Sequence, residues 1–196
     1  MKIELGEFEI TSGTIRLSDP CYDKSTWCAG TVAAKNGTWI GEVEHSDEGS
    51  WGKRVSRVRA YLKDTDLPIV PISDNFGTIK LDISVGVDSG QAGIFDDAQY
   101  PDGERTGEYG DESTFYGKVC KLTIGETPDG TPDPDHPQAG IIDNFGVVSS
   151  SGYGDGGYNA YALFDGEEAI AVEIVFIGDE EFEDEDEEWE DWEPEE

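Results

Sequence analysis

Basic residues are scarce in this chain. Thirteen lysines and arginines stand against 45 aspartates and glutamates, a formal charge of −32 over 196 residues. Phosphate-bearing partners are held by cations that displace condensed counterions, so the deficit argues against direct nucleic-acid binding and against an anionic membrane surface. Three readings of the acidity stay open: adaptation to high salt, where charge repulsion is screened, imitation of a nucleic-acid backbone, or a site for cations.

Long apolar runs are missing as well. No stretch approaches the roughly 18 residues that a membrane-spanning helix needs, and MKIELGEFEI lacks the charged-then-apolar pattern of a secretion signal. The expectation is a soluble protein that stays in the cytoplasm where it is made. Cysteines number three (Cys21, Cys28, Cys120) and histidines two (His45, His136). An odd cysteine count without a secretion signal favours reduced thiols, and the spacing matches no Cys/His zinc pattern.

Helical periodicity is rare, and strand signals dominate. Ile3 to Ile10 and Gly13 to Leu17 alternate weakly, and Val55 to Leu62 is rich in β-formers. Thr78 to Val85 sets Ile79, Leu81, Ile83 and Val85 against Lys80, Asp82 and Ser84, a strand with one wet side. Asn36-Gly37 between Ala29–Lys35 and Thr38–Val43 reads as a tight hairpin, and so does Asp165-Gly166 ahead of AIAVEIVFI, whose apolar faces on both sides mark a central strand. Asp96–Tyr100 and Ser113–Lys121 are the places for a turn or short helix. The fold class is therefore mostly β: a single-domain antiparallel sandwich or roll over residues 1–177. Residues 101–140, rich in proline and Gly-Asp pairs, read as a loop-rich elaboration. Residues 178–196 form an acidic tail that self-repels and is expected to be disordered, with the alternative that its aromatics fold onto a basic host protein. The echo between ISDNFGTI (72–79) and IIDNFGVV (141–148) has no matching flanks, so duplication is not supported.

Chemistry concentrates in three stretches. In SSSGYGDGGYNAY (149–161) glycines open positive φ and bare N–H groups, while Asp155 and the rings of Tyr153, Tyr158 and Tyr161 can recognise a small polar, planar ligand. The same residues equally describe a plain turn entering an aromatic strand. VGVDSGQAGIFDD (85–97) places Asp88, Ser89, Gln91, Asp96 and Asp97 on one loop. Asp96 and Asp97 in particular offer oxygens to a hard cation such as Ca²⁺ or Mg²⁺, although no EF-hand spacing is present and turn capping explains them as well. SDPCY (18–22) carries Cys21 without a neighbouring base, and Ser89 lacks the G-x-S-x-G elbow; a buried, inert thiol is the expectation for Cys21. The clustered bases Arg54, Arg57 and Arg59 either offset a phosphate or are exposed strand charges.

SGTIRLSDPCY, VGVDSGQAGIFDD, GVVSSSGYGDGGYNAY and AVEIVFI, in this order, resemble the uncharacterised domain-of-unknown-function family 4241 and related small bacterial and phage proteins. The resemblance implies a β-rich domain and no settled activity. Its phage members suggest a counter-defence sponge that sequesters a nucleotide-derived signal, placed then in the host cytoplasm; the acidity departs from the pattern and fits a saline habitat.

Together these readings favour a non-enzymatic binding protein needing no cofactor. Its candidate site is Asp88, Ser89, Gln91, Tyr153, Asp155 and Tyr158 with Arg57 and Arg59. Self-association is left open. A metal-assisted hydrolase or lyase using Asp88 and Asp155, and an acidic mimic that inhibits a host protein, are the alternatives.

Overall fold

Period-two alternation decides which side chains meet. In a computed structural model, which describes residues 1–26, 30–67, 71–74, 77–102, 111–125, 129–131 and 133–178, Trp39, Gly41, Val43 and His45 of one long strand are buried while the residues between them are only partly so. The protein is mostly β, as its patterning implies. The strands are β1 (Lys2–Ile10), β2 (Thr14–Ser18), β3 (Gly30–Ala33), β4 (Gly37–Asp47), β5 (Lys53–Leu62), β6 (Ile79–Val87), β7 (Gln91–Asp96), β8 (Ala139–Ile142), β9 (Gly146–Ser150), β10 (Gly156–Asp165) and β11 (Glu168–Val175), with one helix, α1 (Phe115–Ile124). They build a six-stranded sheet, β1-β4-β5-β11-β10-β6, and a five-stranded sheet, β3-β2-β7-β9-β8. All named pairings are antiparallel.

The sheets share one core. Phe8, Trp39, Val43, Val58, Ala160, Val172 and Ile174 come from the larger sheet, and Ile15, Leu17, Ala92, Ile94 and Val147 from the smaller. Burial of such side chains at roughly 25 cal/mol per Å² is the main favourable term. Trp39 is fully buried yet polar at one end, and its Nε1 donates to the Lys35 carbonyl at 3.0 Å.

Several strands are buried on both faces. Ile94 and Val147 point into the shared core, while their neighbours Phe95 and Val148 point the other way, into a second cluster with Tyr100, Ile142, Phe145 and Val119 of α1. The region 101–140 therefore does more than loop: α1, near where a short helix was expected, carries part of an apolar cluster. Phe95 needs room here. A Cβ at Gly93 would come within 2.3 Å of its Cζ, and one at Gly146 within 2.5 Å of its Cδ1.

Asn36-Gly37 does not make the hairpin expected of it. β3 pairs with β2 in the smaller sheet and β4 with β1 and β5 in the larger, so the dipeptide is a crossing between sheets. The reason is tertiary: Asn36 Oδ1 accepts from the Gly13 N–H at 2.6 Å, and the parallel bridge Ala34–Ala169 holds the preceding residues. The two positive φ angles of a hairpin turn fall instead on Asp143 and Asn144 (42° and 62°), between β8 and β9. Asp165-Gly166 does begin the β10–β11 hairpin, and β11 is central, between β5 and β10. The two DNFG echoes differ, since Ile72–Asp74 form a 3-10 turn whereas Ile141 and Ile142 lie in β8. The expected disorder of the tail concerns residues 179–196, outside the described residues.

Candidate ligand-binding loop end

Asp19, in the loop after β2, organises one end of the sandwich. Its side chain is fully buried. Oδ1 accepts from the Cys21 N–H and the Ser89 hydroxyl, each at 2.7 Å, and Oδ2 accepts from the N–H groups of Asp88 (2.9 Å) and Ser89 (2.8 Å). A carboxylate holding several N–H donors makes strong, short bonds, so SDPCY and the D-S-G turn after β6 are clamped as one unit. Tyr100 closes the clamp from behind, donating to the Tyr22 carbonyl at 2.6 Å; burial pushes its phenol well above the ordinary range.

The Ser151–Asp155 turn joins the same unit through the Ser151 N–H, which donates to the Gly90 carbonyl at 3.0 Å. Within it the Gly154 N–H donates to the Ser151 carbonyl at 3.0 Å and the Ser151 hydroxyl to the Gly154 carbonyl at 2.8 Å. Gly152 and Gly154 take φ of 62° and 113°, which favour glycine. The Tyr158 hydroxyl lies 2.7 Å from the Gly154 carbonyl and 3.0 Å from that of Ser151, and its half-buried ring meets Phe176 edge-on at 5.1 Å. Tyr158 thus locks the turn from inside, and burial raises its phenol above its usual value. The glycines and tyrosines of this stretch are explained largely by that lock.

The register of β6 and β10 settles where the two acidic turns lie. Gly156 pairs with Val87, so Asp155 and Asp88 are the next residues outward on adjacent strands. Both are exposed. The turns that the sequence singled out far apart in the chain therefore share one edge of the sheet, on a platform fixed by Asp19 and Ser151. Beside them, at the tip between β4 and β5, Trp51 is 67% exposed and meets Tyr153, 56% exposed, edge-on at 6.3 Å. The Tyr153 hydroxyl donates to Glu48.

The remaining candidates lie elsewhere. Gln91 turns to the second apolar cluster, where its Nε2 donates to Thr123 Oγ1 at 2.9 Å. Asp96 and Asp97 have different partners. Asp96 accepts five donors: the N–H and hydroxyl of Thr11 (2.5 and 3.1 Å) and the N–H groups of Ser12 (3.0 Å), Ala98 (2.9 Å) and Gln99 (3.3 Å). Burial works to raise its carboxyl, but the bonds from Thr11, Ser12 and Ala98 outweigh it and hold the group below its ordinary value. Asp97 instead pairs with Arg16 Nε at 2.8 Å. The two expected oxygen ligands act as a loop cap and an ion-pair partner.

Arg57 and Arg59 are not exposed strand charges. Both are buried on the outer face of the larger sheet, with Glu173 of β11 wholly buried between them. Glu173 Oε1 lies 3.9 Å from Arg57 Nε, Oε2 lies 3.8 Å from Arg59, and the Ser73 N–H of the Ile72–Asp74 turn donates to Oε1 at 3.1 Å. Glu44 sits 3.7 Å from Arg57, and Glu42 bonds Arg59 directly. Their charge is directed at these carboxylates. Cys21 and Cys120 are buried; Cys28 lies outside the described residues.

Asp19 and Trp51 escaped the sequence reading. Asp19 had a local signal for its bond to the Cys21 N–H, an aspartate two residues ahead with proline between, but none for the Asp88 and Ser89 donors; Trp51 in G-S-W-G had only its glycine flanks. The resemblance drawn above rests on its four sequence blocks. No family model, curated protein or solved structure matches this chain.

Proposed function

We propose that the protein is a non-enzymatic binding module whose loop end takes a small polar ligand through Asp88 and Asp155, flanked by Tyr153. The observation that carries this reading is the β6–β10 register, which brings two exposed acidic residues from distant turns to neighbouring chain positions on a clamped platform. Preformed sites cost little ordering on binding. Two carboxylates and an aromatic ring favour a ligand with a cationic or hydroxyl-rich group, and with Arg57 and Arg59 committed to Glu173 the support for a nucleotide-like anion is correspondingly weaker. Both carboxylates sit in open solvent, whereas an acid–base pair draws on unlike surroundings, so binding without turnover is the better reading; sequestration is the mode that the phage resemblance suggests.

Native mass spectrometry of protein taken from cells, followed by calorimetry with the released compound, tests this. Asp88→Asn or Asp155→Asn is expected to weaken binding at least about tenfold, the worth of one charge-assisted bond, with the urea midpoint unchanged. A released ligand that binds both variants as tightly as the parent would defeat the reading.

A further inference from the structure

We infer that Trp51 and Tyr153 form a docking surface for an arginine-bearing basic segment of a partner protein. The inference goes beyond the small-ligand reading, because it adds the β4–β5 tip and a macromolecular occupant; the two surfaces share Tyr153 and Asp155.

Scattered exposed aromatics need no explanation, but these two come from separate turns and touch. Both are held in place. The tip is closed by four bonds: Glu48 N–H to the Gly52 carbonyl (3.0 Å), Trp51 N–H to that of Glu48 (3.1 Å), Gly52 N–H to that of Gly49 (3.1 Å) and Gly49 N–H to Asp47 Oδ1 (3.1 Å). Gly49 and Gly52 supply φ of 61° and 74°. Arg54 Nε braces the tip by donating to the Trp51 carbonyl at 3.1 Å, and Glu48 fixes the Tyr153 ring through its hydroxyl. Trp51 is thus held out to water by a stiff turn although nothing in the shared core needs it there. Rigid tryptophan and tyrosine, with few rotamers to lose, are the usual anchors of protein interfaces.

Charge selects the occupant. On the two turns that carry the rings stand Asp47, Glu48 and Asp155 against Lys53 and Arg54, an excess of one carboxylate, within a chain of net charge −32. An acidic segment would be repelled by the field of the whole chain, and a neutral one would gain nothing from it. A guanidinium can lie on an aromatic face and reach a carboxylate with its N–H fork at once, which an ammonium does less well. The long-range field draws such a segment in, and the rings retain it.

The test uses the full chain with a labelled decapeptide of alternating Arg and Gly, its Lys-Gly counterpart and a Gln-Gly control, read by fluorescence anisotropy at 50 and 500 mM salt. Expected results are binding of the Arg peptide above the Lys peptide, none of the Gln peptide, and a loss of about tenfold for Trp51→Ala or Tyr153→Ala, with most affinity kept in Trp51→Phe. Those side chains are exposed, so unchanged urea midpoints certify the fold. Arg-peptide binding equal in parent, Trp51→Ala and Tyr153→Ala overturns the inference. If Asp155→Asn alone weakens it, the docking surface fails while the Asp88–Asp155 site stands. A concentration-dependent dimer of the parent, abolished by Trp51→Ala in sedimentation, likewise overturns it by naming a second copy as the occupant.

Discussion

Two buried polar side chains set contrasting demands at the scale of the residue. Asp19 satisfies four donors, and Asp19→Asn turns an acceptor into a donor facing them. The expected cost is on the order of 3 kcal/mol, read as a lower urea midpoint, while exposed Asp88→Asn stays within about 0.5 kcal/mol. Equal effects of the two would contradict the division between clamp and site. His45 is the opposite case, buried with both ring nitrogens lacking a hydrogen bond among the described residues. Burial first, then the charges of Lys53 and the N-terminus, lower its pKa from 6.5 to about 4. Above pH 6.5 neither folded nor unfolded chain carries this proton. Between 6.5 and about 4 the unfolded chain takes it up and the folded one refuses it, so stability falls as pH falls, by up to about 3 kcal/mol from this group. His45→Leu is expected to lose less stability than the parent between pH 7 and pH 4.5 in paired urea titrations; parallel losses would place the acid sensitivity elsewhere.

Elements buried on both faces explain where sequence patterning misled. In β5, Arg57 and Arg59 share a face that reads as wet, yet Glu173, itself bonded by the turn at Ile72–Asp74, opposes them from β11. Pairing of this kind comes from residues over a hundred positions apart, and no local window contains it. α1 shows a second tertiary override. Thr114 caps it, accepting from the Gly117 N–H at 3.1 Å, and Gly117 is expected on propensity to gain up to about 1 kcal/mol when changed to alanine. A Cβ there would stand 1.9 Å from the Asp111 carbonyl oxygen, and that backbone cannot yield without loosening the cap. Overpacking of about 1–3 kcal/mol exceeds the propensity gain, so Gly117→Ala is expected to lower the melting temperature, followed by circular dichroism. A rise would show that the 111–114 turn gives way freely.

At the scale of the whole molecule, charge dominates. With 45 acidic against 13 basic residues, most carboxylates have no cation to pair with, and self-repulsion favours the unfolded chain. Raising sodium chloride from 0.1 to 1 M shortens the screening length from about 10 to about 3 Å. The melting temperature is expected to rise, at about 2–4 °C per kcal/mol recovered in a chain of this size. A flat or falling response in differential scanning calorimetry would show that the charges are spaced widely enough to ignore one another.

What could be read before any coordinates was local. Alternation marked most of the strands, both faces of AIAVEIVFI placed β11 in the interior of a sheet, and glycine with aspartate marked the turns that carry Asp88 and Asp155. The crossing at Asn36-Gly37, the burial of Arg57 and Arg59 and the clamp at Asp19 were invisible, because each depends on a partner that only the packing of two sheets supplies. Strand identity follows from side chains two residues apart; strand neighbours, and hence the meeting of the two acidic turns, follow from register, which long-range burial alone selects.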